Sequence, residues 1–126
     1  MLIGELAQRT GASTRSLRHY DGYGLLPVAR IGAGYRDFPA EAVARVGAIR
    51  ALLACGLTLA EVSALLPCTT AEGTIRPCDE VLASLADQLR RLDERAAEVD
   101  LARQVIQERL VSISAGGRSL PAPAVT

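Results

Sequence analysis

Residues 13–38, STRSLRHYDGYGLLPVARIGAGYRDF, decide how the rest of the chain is read. Ser13 is a good N-cap, because its hydroxyl can accept from one of the backbone N–H groups that a first helical turn leaves unpaired. The spacing predicts a helix from there, which Gly22 and Gly24 weaken and Pro27 stops. At helical spacing Arg15, Arg18, His19 and Gly22 fall on one face, at i, i+3, i+4 and i+7, while Leu17 and Tyr20 fall on the face that packs inward. One face is cationic and the other apolar. Beyond the helix, LLPVAR and YRDF are short strand-like runs around the turn signal Ile31-Gly32-Ala33-Gly34. They predict a two-stranded wing with Tyr35 and Arg36 just past its tip.

A basic-faced helix followed by a hairpin is the element order of a winged helix-turn-helix, which sets one helix in the major groove of duplex DNA. The plain alternative is an amphipathic helix and hairpin with a solvated arginine face. The flanking segments favour the first reading. Upstream, a helix over about Ile3 to Arg9 turns Leu2, Leu6 and Ile3 to the core, and Gly11 terminates it. Downstream, Pro39 suits the first turn of a third helix reaching about Cys55, with Val43, Val46, Ile49, Leu52 and Leu53 as its apolar positions and Gly56 as its stop. Thr58-Leu59-Ala60-Glu61 is a capping box that starts a fourth helix ending at Leu66.

Residues 68–77 read as a linker, and 78–115 as one long helix. Leu82, Leu85, Leu89, Leu92, Ala96, Val99, Ile106, Leu110 and Ile113 keep an alternating three-four spacing in it, interrupted at Arg103. At about 1.5 Å per residue such a helix outreaches so small a domain, so its stripe calls for a second copy, and a homodimer is expected. Residues 116–126, rich in Gly, Pro, Ala and Ser, read as a disordered tail. The organisation expected is a DNA-binding domain over 1–67, the linker, a dimerisation helix and the tail. The fold class is mainly α.

Composition agrees. The 126 residues are 49% hydrophobic but only 3% aromatic, a balance suited to helix packing with few large side chains. The net charge of zero argues against a nonspecific polyanion binder, but it is unevenly spread. Residues 1–55 carry seven Arg against four acids, net +3, and 56–126 carry seven Arg against ten, net −3. The basic half holds the motif. Every basic residue is Arg, a side chain able to make bidentate phosphate or guanine contacts. No segment has the roughly 20 apolar residues of a membrane span and no leader pattern opens the chain, so a cytoplasmic protein with reduced cysteines is expected.

The succession LIGELAQRTGAS, SLRHYDGYGLLPVAR, GYRDF, VARVGAIRALLACGLTLAEVSALL and a long final helix resembles the MerR family of bacterial transcription regulators over the first two-thirds of the chain and its dimer helix. The resemblance implies long helices paired antiparallel into a coiled coil, and a homodimer on a palindromic promoter site. It also implies distortion of an overlong spacer so that RNA polymerase meets two aligned promoter elements. The residues expected at the DNA are Ser13, Arg15, Arg18, His19 and Tyr20 of the reader helix, with Arg30, Tyr35 and Arg36 of the wing. Gly47, Ala51 and Leu53 stand where the family often carries basic or bulky residues, which implies weaker backbone contacts there. Cys78 occupies the start of the dimer helix, where metal-sensing members place a thiolate. Those members also need cysteines after the long helix, and this chain has none.

Other chemistry is sparse. His19 is the only histidine, so no histidine-containing triad or paired-histidine metal site can be assembled within one chain, and no enzyme signature is found. Cys55, at the apolar end of the third helix, reads as a small buried hydrophobe. Cys68 and Cys78 bracket the linker and stay open between redox-active, metal-binding and structural roles. Two thiolates hold a soft monovalent or linear-coordinating ion but do not complete a tetrahedral zinc site, so a soft metal is a candidate cofactor and none is firmly implied. Two rivals stand beside a sensing regulator: an effector-free DNA-binding regulator, and a helical protein-interaction adaptor without sequence-specific DNA binding. A small thiol oxidoreductase is disfavoured, because it would carry a C-x-x-C pair where this chain has C-x9-C.

Overall fold

The structure, a computed structural model, describes residues 1–116. Of the tail predicted over 116–126, residues 117–126 lie outside the described residues. Helix α1 spans Ile3–Thr10 and α2 Thr14–Gly22; strands β1 (Arg30–Gly32) and β2 (Tyr35–Asp37) follow, then α3 (Glu41–Ala54), α4 (Leu59–Leu65), a 3-10 turn at Leu66–Cys68, and α5 (Asp79–Ser114). The predicted mainly α chain, a winged helix-turn-helix followed by a long C-terminal helix, is the fold adopted.

The chain divides into two compact units, Met1–Gln88 and the stretch from Leu89 onward. In the first, one core gathers Leu6, Leu17, Tyr20, Phe38, Val46, Ile49, Leu52 and Val62 from α1 to α4 and the end of the hairpin. The first turns of α5 join it: Val81 is fully buried, Leu85 packs against the core, and Gln88 donates to the Cys55 carbonyl at 2.9 Å. That bond satisfies a carbonyl left over at the end of α3. The three positions lie on one helical face, which shares Leu85 with the three-four stripe that begins at Leu82.

Local chemistry sets the boundaries. Gly11, left-handed at φ 75°, ends α1, and its N–H closes on the Ala7 carbonyl. Arg50 of α3 reaches back to the Thr10 carbonyl at 2.6 Å, so α3 also caps α1. Thr58 and Glu61 form the expected reciprocal capping box. The wing turns through Ala33 and Gly34, both at positive φ, with Gly32 paired to Tyr35. This is the two-residue hairpin whose twist matches the strands.

Three readings of the sequence need correction. Leu2 is exposed, because it precedes α1 and only Leu6 among its neighbours is fully buried. LLPVAR is mostly not strand: Leu25 and Leu26 are buried in the core, and pairing begins only at Arg30. Cys55 is exposed, since it sits in the C-cap position past the last buried residue of α3, Leu52, with its thiol against the Ala51 carbonyl. Residues 68–77 carry their own hydrogen bonds: Thr69 bridges to Ile75, Thr70 N–H donates to the Thr74 carbonyl at 2.8 Å, and Arg76 N–H to the Cys68 carbonyl at 2.8 Å.

In the second unit the described residues are helical to Ser114, and Leu89, Leu92, Val99, Ile106, Leu110 and Ile113 are all exposed within the single chain. No helix among the described residues is long and apolar enough to cross a membrane.

Candidate nucleic-acid interface

Helix α2 carries the candidate surface. Ser13 caps it, accepting from Ser16 N–H at 3.0 Å and donating to the Ser16 hydroxyl at 3.0 Å, so this hydroxyl is committed to starting the helix. Leu17 and Tyr20 anchor the inner face in the core. Arg15, Arg18 and His19 are thereby held on the outer face, all three exposed. Neither Arg15 nor Arg18 has an ion pair or hydrogen bond among the described residues, and together with Ser16 and His19 they line a shallow concavity. Two unneutralised guanidiniums on one rigid helix make a local positive potential suited to a polyanion. The His19 ring stands edge-on to Tyr23, centroids 5.7 Å apart.

Two expected DNA residues are engaged elsewhere. The Tyr20 ring belongs to the core, at 7% exposure, as its inward phase dictates. Arg36 is paired across the hairpin to Asp21 of α2. Its Nη2 donates to Oδ1 at 2.8 Å and its Nε lies against Oδ2, with the Asp21 side chain only 13% exposed. This ion pair, with one hydrogen bond in it, fastens wing to reader helix and leaves little of the guanidinium for a phosphate. Sequence periodicity carries no signal for it, because the partners are 15 residues apart on different elements.

The rest of the wing faces outward. Tyr35 is 63% exposed and Ile31, which the sequence placed in the turn and the structure places in β1, is 70% exposed. Arg30 stands exposed beside the Asp37 carboxylate at 3.3 Å. Asp37 in turn accepts from the Met1 ammonium at 2.8 Å, and that ammonium also donates to the Phe38 carbonyl at 2.7 Å. The hydrogen bond from the ammonium, more than Arg30, holds the Asp37 carboxyl below the usual range. An open groove between the start of α1, α2 and the wing is lined by Leu2, Glu5, Arg18, Asp21 and Tyr35 among others.

A second cluster lies in the same unit. The chain brings Cys68, Cys78 and the Glu80 carboxylate together, with one donor atom from each within 4.8 Å of the others. The hydrogen bond with Cys78, reinforced by burial, pushes the Cys68 thiol up to about 11. The sequence paired the two cysteines by their place around residues 68–77; Glu80, two residues into α5, gave no such sign.

Comparison with known proteins agrees with this architecture. Residues 1–68 match the family described as MerR HTH family regulatory protein, and residues 43–109 the one described as MerR, DNA binding. The chain is 37% identical over 116 residues to the nodulation protein NolA of Bradyrhizobium elkanii, covering 90% of this chain and 47% of that one. It is 30% identical over 109 residues to an uncharacterized HTH-type transcriptional regulator of Pseudomonas aeruginosa, covering 86% and 81%. The chain thus spans about half the length of the NolA relatives. Among solved structures it is similar to the N-terminal part of the Bacillus subtilis multidrug transporter activator Mta, with a TM-score of 0.71, 26% identity and coverage of 89% and 99%. A capped reader helix with a free arginine face, a wing fastened beside it and these matches together make the chain a member of the MerR family of DNA-binding transcription regulators.

Proposed function

We propose that the chain works in the cytoplasm as a homodimeric regulator that holds a palindromic promoter site and distorts its spacer for RNA polymerase. Each protomer sets α2 in a major groove, with Arg15 and Arg18 on phosphates or base edges and His19 beside them. Tyr35 and Arg30 of the wing lie along the flanking backbone. The observation that carries this reading is the unpaired Arg15–Arg18 face of α2, held rigid by the buried Leu17 and Tyr20 behind it. Such a site places and bends DNA more than it reads it, so specificity comes in part from how readily the spacer deforms.

The exposed stripe of α5 supports the dimer. Leaving Leu89, Leu92, Val99, Ile106, Leu110 and Ile113 in water forgoes about 25 cal/mol for each Å² of apolar surface that a partner helix would cover. Residues 78–115 are then the dimerisation helix, and a twofold axis gives two half-sites. Regulation is placed at the Cys68–Cys78 pair, through a soft metal or thiol oxidation. The test is selection of bound fragments from genomic DNA by the purified protein, then footprinting. Paired half-sites across a promoter spacer are expected; a protein that enriches no sequence and binds duplex without a steep salt dependence is an adaptor instead.

A further inference from the structure

We infer that Cys68, Cys78 and Glu80 form a binding site for a thiophilic divalent cation of the zinc class, built inside one protomer and completed by water. Two thiols alone suit a linear monovalent ion; the structure adds a carboxylate to them, and the three donor atoms already lie within 4.8 Å of one another. Around a tetrahedral centre with bonds of about 2.0–2.3 Å, such donors stand roughly 3.5–3.8 Å apart. Side-chain rotation of about 1 Å therefore closes the site without moving backbone. Two sulfurs and one oxygen leave the fourth position open, the donor set of a borderline-soft divalent ion and not of magnesium or calcium.

The scaffold is prepared without the metal. The carbonyl of Cys68 accepts from Arg76 N–H, Thr69 bridges to Ile75, and Thr70 and Thr74 join through both backbone and hydroxyls, at 2.6 Å between the oxygens. These bonds, not the thiols, bring Cys68 to the start of α5, where the Cys78 carbonyl accepts from Leu82 N–H in the first turn. Arg76 is the cation nearest in sequence, and its Nη2 is spent on the Pro67 carbonyl at 2.8 Å. Glu80 is exposed and has no ion pair among the described residues, so its charge is available to an incoming ion.

The site is wired to the DNA-binding core. The loop it would close carries Gly73, whose backbone, at φ 85°, lies so near α3 that an added Cβ would stand 2.5 Å from the Ala44 carbonyl oxygen. A bound ion ties the end of α4, the loop on α3 and the first turn of α5 into one body. Its regulatory consequence rests on the DNA-binding reading above; the coordination does not.

The experiment titrates cobalt(II), as a spectroscopic stand-in, into the reduced 126-residue chain free of DNA, followed by zinc competition. One equivalent per chain with sulfur-to-cobalt charge transfer and tetrahedral d–d bands is expected. Cys68→Ser and Cys78→Ser should abolish the charge-transfer band or weaken binding at least 100-fold, Glu80→Gln should weaken it roughly 10- to 100-fold, and Cys55→Ser should change nothing. Absence of a thiolate band, a Glu80→Gln protein that binds like the parent, or a site that takes only copper(I) through the two sulfurs overturns the proposal. Promoter binding is then compared with and without zinc. A protein that binds cobalt through these three residues but no DNA keeps the site and refutes the regulator; one that binds DNA but no divalent ion does the reverse.

Discussion

The pairing of Arg36 with Asp21 makes a prediction whose sign separates two accounts of the wing. Were Arg36 a phosphate contact, Asp21→Asn would remove a negative charge beside the DNA and strengthen binding. If instead the pair fastens wing to α2, the same change loosens the wing and weakens binding. The Asp21 side chain is 13% exposed and Arg36 39%, between the surface pairs worth about 0–1 kcal/mol and the buried ones whose rupture costs about 3–5 kcal/mol. Asp21→Asn keeps one acceptor and leaves a guanidinium with access to water, so we expect a loss of about 1 kcal/mol in stability. A similar loss in operator affinity is roughly fivefold in Kd. Arg36→Ala strands the more deeply buried carboxylate and should cost about 2 kcal/mol in stability. Urea denaturation followed by circular dichroism gives the first quantity and fluorescence anisotropy on an operator duplex the second. An Asp21→Asn protein that binds DNA more tightly at unchanged stability would refute the latch and return Arg36 to the phosphates.

Four further outcomes follow. Arg18→Ala should lower operator affinity by about 1–3 kcal/mol and leave helicity unchanged, since the exposed side chain has no ion pair or hydrogen bond among the described residues; equal anisotropy curves would contradict the docking. Leu89→Asp should turn a dimer into a monomer in sedimentation, with α5 still helical, because Leu89 is 60% exposed in the single chain and each carboxylate buried at a seam costs several kcal/mol. A mutant that sediments as a dimer moves the seam elsewhere. Gly73→Ala should destabilise the first unit by about 2 kcal/mol or more, given its positive φ and the 2.5 Å approach to Ala44; a melting curve like the parent's would show that the loop yields. Acidification should loosen the wing: the Asp37 pKa is lowered in the fold, so its contribution is fully present above the unfolded carboxylate's value and is lost as pH falls from there through the lower folded value, and hydrogen exchange of wing amides followed down through that range should lose the step in Asp37→Asn.

What the sequence disclosed was local. Ser13, the Thr58–Glu61 box, Gly11 and the three-four stripe of α5 announce themselves because caps and periodicities act over a few residues. The outward set of Arg15, Arg18 and His19 was legible for the same reason, and so was the inward phase of Tyr20. What escaped were pairings between elements: Arg36 with Asp21, Arg50 with the end of α1, Gln88 with the end of α3, and Glu80 beside the two thiols. None has a sequence period, because each is set by how elements pack. Cys55 was misplaced because an apolar neighbourhood in sequence does not say which side of the last helical turn a residue occupies.

The central claim is that two copies of α2, held on one dimer, read two turns of one duplex. Hydroxyl-radical footprinting of the selected site tests it most directly. The account predicts two protected patches related by a twofold axis, about one helical turn or a multiple of it apart, both lost together in Arg18→Ala and in Leu89→Asp. A single patch, or protection that survives Leu89→Asp undiminished, would contradict it.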